Sequence, residues 1–369
     1  MANKWGIHAA NSPNAHNSGD YEAMLALGVS HYTVLHHEAK WCRAMRQASP
    51  DGIIQVRFYL SRWRDWQPRE WANKCAWEYL EQRECPLTGV RFNLAELAVH
   101  VRPANEMNLA EESGGSSYQD YQDINRWLLE WLAEFVKLTG IPVERTHFPA
   151  FAYGHSDDQD DFGYIGEDLC REAITAYGIF DKHPYWFQPT EVTADWRGHR
   201  FKQSHDRFKS WGLNKKIFCA ELGNFDVTRT STPDEIIQWF ESIYQFDYVL
   251  GGTPFIFRDP TGAHPVNDWG RNREIERRVK AHPKREVQAV SNFEVGHGFA
   301  KVEHLVGPWR HNEVWHGVGT DYETSMAIGE RGHATWRKAT NRTVAVCDNG
   351  EVFADDGNQG ATVRKLDPK

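Results

Sequence analysis

No stretch of this chain is apolar for long enough to cross a membrane, which takes about 20 consecutive apolar residues, and no run of lysine and arginine marks a nucleic-acid footprint. The charge balance agrees: 42 Lys and Arg against 51 Asp and Glu leave a net charge of −9 at neutral pH. A phosphate-backbone partner is therefore not expected. The opening residues Trp5-Gly6-Ile7-His8-Ala9-Ala10 read as a strand and not as the apolar segment of a secretory leader. A soluble protein is expected, either cytoplasmic or exported with its signal removed.

Cysteine is sparse as well. Cys42, Cys75, Cys85, Cys170, Cys219 and Cys347 are scattered, with no Cys-x-x-Cys pair and no zinc-site spacing. They read as reduced thiols, with a Cys75–Cys85 disulfide as the one alternative. The Gly-centred calcium loop is also missing: Asp157, Asp158, Asp160 and Asp161 have calcium-ligand character but not its spacing, so a solvated or substrate-facing loop is expected. His8, His36, His37 and His100 lack the His-x-His pattern of metal-dependent barrel hydrolases, because Ala9 and Ala10 follow His8. Structural or sugar-contacting histidines are expected, and the reading calls for no metal and no cofactor.

What the chain has in quantity is aromatic: 16 Trp, 13 Tyr and 19 Phe among 369 residues. Flat, amphipathic rings stack on the C–H faces of sugars, which suggests a carbohydrate ligand; filling a large core is the competing use.

Between Trp5 and Pro265 the pattern strand, polar loop, helix recurs about eight times, which predicts parallel strands with helical crossovers closed into an α/β, (β/α)8 TIM barrel. Strands are expected at 5–10, 31–35, 53–59, 97–101, 145–151, 178–183, 216–220 and 248–257. A long helix is expected over 118–138, where Trp127, Leu128, Trp131, Leu132 and Phe135 recur at helical spacing. Thr232-Pro233-Asp234-Glu235 is a helix start, with Pro at the first helical position and acids in the first turn. His282-Pro283-Lys284 marks a boundary, dividing a barrel over 1–283 from a small, mostly β domain over 284–369 with turn signals such as Asp348-Asn349-Gly350.

Barrel enzymes carry their catalytic groups at the C-terminal ends of the strands. The apolar run Leu97-Ala98-Val99-His100-Val101 empties into Arg102-Pro103-Ala104-Asn105-Glu106, and the seventh strand ends on Glu221. The fourth and seventh strands lie on opposing sides of a barrel mouth, so Glu106 and Glu221 are placed to face each other across a ligand. Two such carboxylates are the minimum machinery for breaking a glycosidic bond. Arg57, ending the third strand, is expected to orient Glu221 or pair with a carboxylate. Trp186, Trp63 and Trp66 divide between sugar platforms and packing.

Asn105-Glu106 on the fourth strand, His183-Pro184-Tyr185 on the sixth and Glu221 on the seventh resemble the clan A glycoside hydrolases, retaining enzymes on a (β/α)8 barrel, over roughly residues 5 to 280. The resemblance implies that Glu106 is the acid/base, Glu221 the nucleophile, Asn105 the partner of the sugar 2-hydroxyl and Tyr185 the phenol beside the nucleophile. His183, Trp186, Arg57 and His8 are also expected among the substrate contacts. Many clan members end the eighth strand on Trp, whereas this chain has Phe255-Ile256-Phe257-Arg258, and Arg258 would favour an acidic sugar. Residues 284–369 weakly resemble Trp- and Gly-containing repeats of bacterial and phage wall-associated proteins, implying contact with glycan or cell envelope. The expected activity is retaining hydrolysis of an oligo- or polysaccharide; a phage or bacterial wall-lytic glycosidase and a catalytically silent sugar-binding barrel are the alternatives.

Overall fold

The structure, a computed structural model, describes residues 3–9, 18–109, 118–151, 167–226, 228–259, 267–269 and 272–285, together with six strands between 290 and 365. Two compact units divide the chain, one over Ala2–Arg285 and one containing Glu286–Lys369. The acidic cluster Asp157–Asp161 lies outside the described residues.

The first unit is a closed (β/α)8 barrel. Its strands are β1 (Gly6–His8), β2 (His31–Leu35), β3 (Ile54–Arg57), β4 (His100–Arg102), β5 (His147–Phe148), β6 (Ile179–Lys182), β7 (Lys216–Asn224) and β8 (Val249–Pro254). β1 to β4 pair in order and in parallel, as do β5 to β8, and a parallel bridge between Val101 and Thr146 joins the two sets. The ring closes where the Gly252 N–H donates to the Lys4 carbonyl at 3.3 Å and the Phe257 N–H to the His8 carbonyl at 2.9 Å. Glycine is required at this seam. A Cβ on Gly6 would lie 2.4 Å from the Gly252 carbonyl oxygen, so any side chain would push β1 off β8.

Between strands run α1 (Ser18–Leu25), α2 (Cys42–Ala48), α3 (Pro68–Leu80), α4 (Tyr118–Thr139), α5 (Glu167–Ala176), α6 (Phe201–Ser210), α7 (Pro233–Ile243) and α8 (Arg273–Ala281). The helical spacing read in α4 is the face it buries: Leu128, Trp131 and Phe135 are inaccessible, and the last two rings stack at 4.6 Å. At α7, whose start the sequence marks at Thr232-Pro233, the Thr232 hydroxyl accepts from the Glu235 N–H and the Glu235 carboxylate accepts from the Thr232 N–H, a reciprocal cap. Tryptophan serves mainly the core. Trp5, Trp41, Trp63, Trp71, Trp127, Trp131, Trp186, Trp239 and Trp269 are all buried.

Two features differ from the sequence expectation. β4 begins at His100 and not at Leu97, because residues 94–98 form turns in which Ala98 has a left-handed φ of +53°. Asn105 and Glu106 consequently sit on a loop a few residues past the strand. An unforeseen two-residue hairpin pairs Arg83–Glu84 with Arg91–Phe92. The described cysteines are free thiols, as expected: Cys42, Cys75, Cys85, Cys170 and Cys219 are buried in the core, and the alternative Cys75–Cys85 disulfide is not formed.

In the second unit, six strands, β9 (Val290–Val295), β10 (Glu313–Trp315), β11 (Arg331–Ala339), β12 (Arg342–Cys347), β13 (Val352–Asp355) and β14 (Val363–Lys365), form one sheet in the order β10-β9-β11-β12-β13-β14. All pairs are antiparallel except β9 with β10.

Candidate active site

Side chains alternate across a strand, so every second residue of a barrel strand projects inward. In this barrel the inward positions are polar: Gln55 and Arg57 on β3, His100 and Arg102 on β4, His147 on β5, Asp181 on β6 with His183 just beyond it, and Glu221 on β7. Their outward neighbours, such as Val56 and Val101, are buried among the helices. A polar interior of this kind survives only where each group finds a partner.

Glu221 is held from several sides. Arg57 donates to Oε1 at 2.5 Å, Arg102 to the same oxygen at 3.4 Å, and the Tyr185 hydroxyl to Oε2 at 3.1 Å. Burial pushes the carboxyl pKa up, but the facing His183 and the Arg57 and Arg102 guanidiniums reverse this and hold it well below the usual carboxylate range. Glu221 is thus an anion whose two oxygens have fixed, different partners. Burial, reinforced by the Glu221 and Glu106 charges, raises the Tyr185 phenol well above its ordinary pKa and keeps it a donor.

Glu106 approaches from the opposite side of the ring. The His183 Nδ1–H donates to its Oε1 at 2.7 Å, and the same nitrogen lies 3.8 Å from Glu221 Oε2. The tautomer follows from Arg102, which contacts His183 Nε2 at 3.0 Å. A guanidinium can only donate, so Nε2 is the acceptor and Nδ1 carries the proton. Arg102 in turn leans on Asp181 at 3.4 Å, and Asp181 also accepts from Gln55 at 2.7 Å and His147 at 2.6 Å.

Two indoles fix the loop that carries Glu106. Trp71 Nε1–H donates to the Pro103 carbonyl and Trp63 Nε1–H to the Met107 carbonyl, both at 2.9 Å, bracketing Asn105 and Glu106. Asn105 Oδ1 accepts from Arg57 at 3.1 Å, which leaves the amide nitrogen as the outward donor.

His8 stands behind Glu221, its Nε2 3.9 Å from Oε1 and its Nδ1–H on the Ala9 carbonyl. Burial, followed by the Arg57 charge, lowers its pKa to about 3, so the ring is neutral. Phe255, at the end of β8, meets the His8 ring edge-on at 5.1 Å.

Glu106, Glu221, Asn105, Tyr185, His183, Arg57 and His8 therefore converge, and two expected substrate contacts do not. Trp186 is fully buried with its N–H on Glu235 at 2.9 Å, so it packs beneath the loops and offers no face to a sugar. Arg258 pairs with Asp20 at 2.7 Å and Glu276 at 2.9 Å, tying the end of β8 to α1 and α8, and its charge is used there and not on an acidic sugar. Arg102, Asp181, His147 and Gln55 escaped the sequence reading. Their signal was a polar residue at every second position of an otherwise apolar strand. Among the described residues, no three His, Cys, Asp or Glu side chains are grouped to hold a metal ion, and no helix is long and apolar enough to cross a membrane.

No protein-family model and no curated sequence matches the chain. Solved structures do. A calcium binding mutant of Bacteroides uniformis beta-glucuronidase 2 superposes with a TM-score of 0.51 and 10% identity over 99% of this chain and 45% of that one. This chain thus spans less than half the length of that protein. An endo-1,4-beta-D-mannanase from Thermotoga petrophila gives a TM-score of 0.46 at 13% identity over 75% of this chain and 98% of its own. An endo-beta-1,3-glucanase from Sorangium cellulosum gives 0.46 and 13% over 75% and 99%. At such identities the likeness to the first of these is one of fold alone.

Proposed function

We propose that this protein is a retaining O-glycosidase acting on a β-linked oligo- or polysaccharide by double displacement. The observation that carries the reading is the His183 Nδ1–H set between Glu106 Oε1 and Glu221 Oε2, at 2.7 Å and 3.8 Å. Those two legs cap the separation of these oxygens at about 6.5 Å, the lower edge of the roughly 6.5 to 9.5 Å of inverting enzymes, and so favour the roughly 5 to 5.5 Å of retaining ones.

In the first step Glu106 gives its proton to the glycosidic oxygen while Glu221 attacks the anomeric carbon. The bond to the leaving sugar breaks and a glycosyl ester on Glu221 forms. In the second step water attacks the same carbon, Glu106 takes the water proton, and the ester bond returns its electrons to Glu221. Oε2, turned towards His183 and Glu106, is the attacking oxygen, and Arg57 keeps Oε1 anchored. The Asn105 amide nitrogen donates to the sugar 2-hydroxyl.

An aryl glycoside panel tests the reading, with Glu221→Ala as control. Turnover is expected to disappear in that variant and to return on adding azide, which replaces the lost nucleophile. Unchanged turnover in Glu221→Ala overturns the mechanism.

A further inference from the structure

From Tyr185, whose hydroxyl rests on Glu221, rings and one guanidinium continue outward in unbroken contact. Phe225 lies 5.5 Å from the Tyr185 ring and 5.6 Å from Phe187. The Arg197 guanidinium sits 5.0 Å over Phe187 and 4.5 Å over Trp196. Tyr185, Phe187 and Trp196 follow β6 and Phe225 follows β7, the strand that carries Glu221, and β6 and β7 are neighbours in the barrel. Tyr185 is 7% accessible and Phe187 is half-buried, while Phe225 at 47% and Trp196 at 52% are exposed.

We infer that this ribbon binds the sugar units of the substrate beyond the cleaved bond, which makes the ligand a chain of β-linked pyranoses and not a lone glycoside. The inference rests on Glu106 and Glu221 being a glycosidase pair. The composition of the ribbon selects a sugar over an apolar partner. It holds four rings and a guanidinium with no aliphatic side chain among them, and the large exposed aliphatics of the described barrel, Leu80, Val90, Leu138 and Val143, belong to other segments. Rings supply flat faces for the C–H groups of a sugar. Arg197 covers one face of Trp196 and so orders the ring for a ligand on the other.

The ribbon is also built in advance. The Phe225 N–H donates to the Trp186 carbonyl at 2.8 Å and the Phe187 N–H to Glu191 at 2.8 Å. Arg229 donates through Nε to the Phe187 carbonyl at 2.7 Å while gripping Glu235 with its other nitrogens. A platform already fixed loses little entropy when a chain settles on it.

The test is affinity electrophoresis of the full chain in gels containing barley β-glucan, galactomannan, xylan or laminarin, with turnover silenced by Glu221→Gln and, in a second background, by Glu106→Gln. At least one polysaccharide is expected to retard both backgrounds. Trp196→Leu and Phe225→Leu, which keep apolar volume but remove the ring, are each expected to weaken binding by about threefold to tenfold, the range of one aromatic stacking contact. In the active enzyme the same changes should lower kcat/KM on a hexasaccharide more than on an aryl monoglycoside. Retardation by none of the four polysaccharides, or retardation unchanged in both Leu variants, overturns the inference. Wild-type turnover persisting in Glu221→Gln would instead overturn the catalytic reading, so the two failures are distinct.

Discussion

Arg102 donates to His183 Nε2 at 3.0 Å, and because a guanidinium has no acceptor this contact aims the imidazole proton at Glu106. Arg102 also reaches Asp181 and Glu221, each at 3.4 Å, so one buried cation connects both proposed catalytic carboxylates.

Removing that cation should be felt twice. Arg102→Met leaves Asp181 buried without its cationic partner, and a loss of about 3–5 kcal/mol is expected in urea unfolding. Arg102→Lys keeps a charge but not the planar fork. With the His183 tautomer released, kcat/KM should fall by about tenfold to a hundredfold, the worth of one charge-assisted hydrogen bond of about 1.5–3 kcal/mol.

The indoles that bracket Glu106 predict a leaving-group effect. Trp63→Phe and Trp71→Phe keep the packing and delete one N–H each. Turnover of aryl glycosides with poor leaving groups, which need protonation, should drop by about fivefold, as for a net hydrogen bond of about 1 kcal/mol. Dinitrophenyl glycosides, which leave without an acid, should be spared. An equal loss on both substrate types would mean that the indoles serve stability alone.

Buried histidines set a stability limit on the acid side. Burial lowers His8 to about 3 and His31 and His199 to about 4. The folded protein keeps them neutral, whereas the unfolded chain takes up protons below about pH 6.5. The unfolded state then binds more protons, so stability falls as pH drops from about 6.5 towards 4, each group contributing up to about 1.4 kcal/mol per pH unit. Above about pH 7 these groups contribute no slope. Calorimetric Tm between pH 7.5 and 4.5 measures this, and a flat profile contradicts it.

The thiols offer a chemical check on the core. Cys42, Cys75, Cys85, Cys170 and Cys219 are free and buried, and burial raises the Cys42 thiol to about 12 and Cys75 and Cys219 well above their ordinary values. These five should resist Ellman's reagent in the native protein and react fully in guanidinium. A thiol total in guanidinium that falls two short of the six in the sequence would restore the Cys75–Cys85 bridge.

Much of the barrel was legible in the sequence alone. The 3.6-residue apolar period of the long helix, the helix start at Thr232–Glu235 and the placing of Glu106 and Glu221 towards the C-terminal ends of buried strands are local signals, set by backbone geometry within a few residues. Only the tertiary structure decided the partners. Arg57 reaches Glu221 across 164 positions, one of the two roles expected of it, and Arg102 reaches His183 across 81, a pairing not foreseen, because ring closure brings inward side chains of separate strands to one axis. It also decided against Trp186 and Arg258 as sugar contacts, since an indole or a guanidinium has the same chemistry in a core as in a cleft, and which it occupies depends on what packs over it.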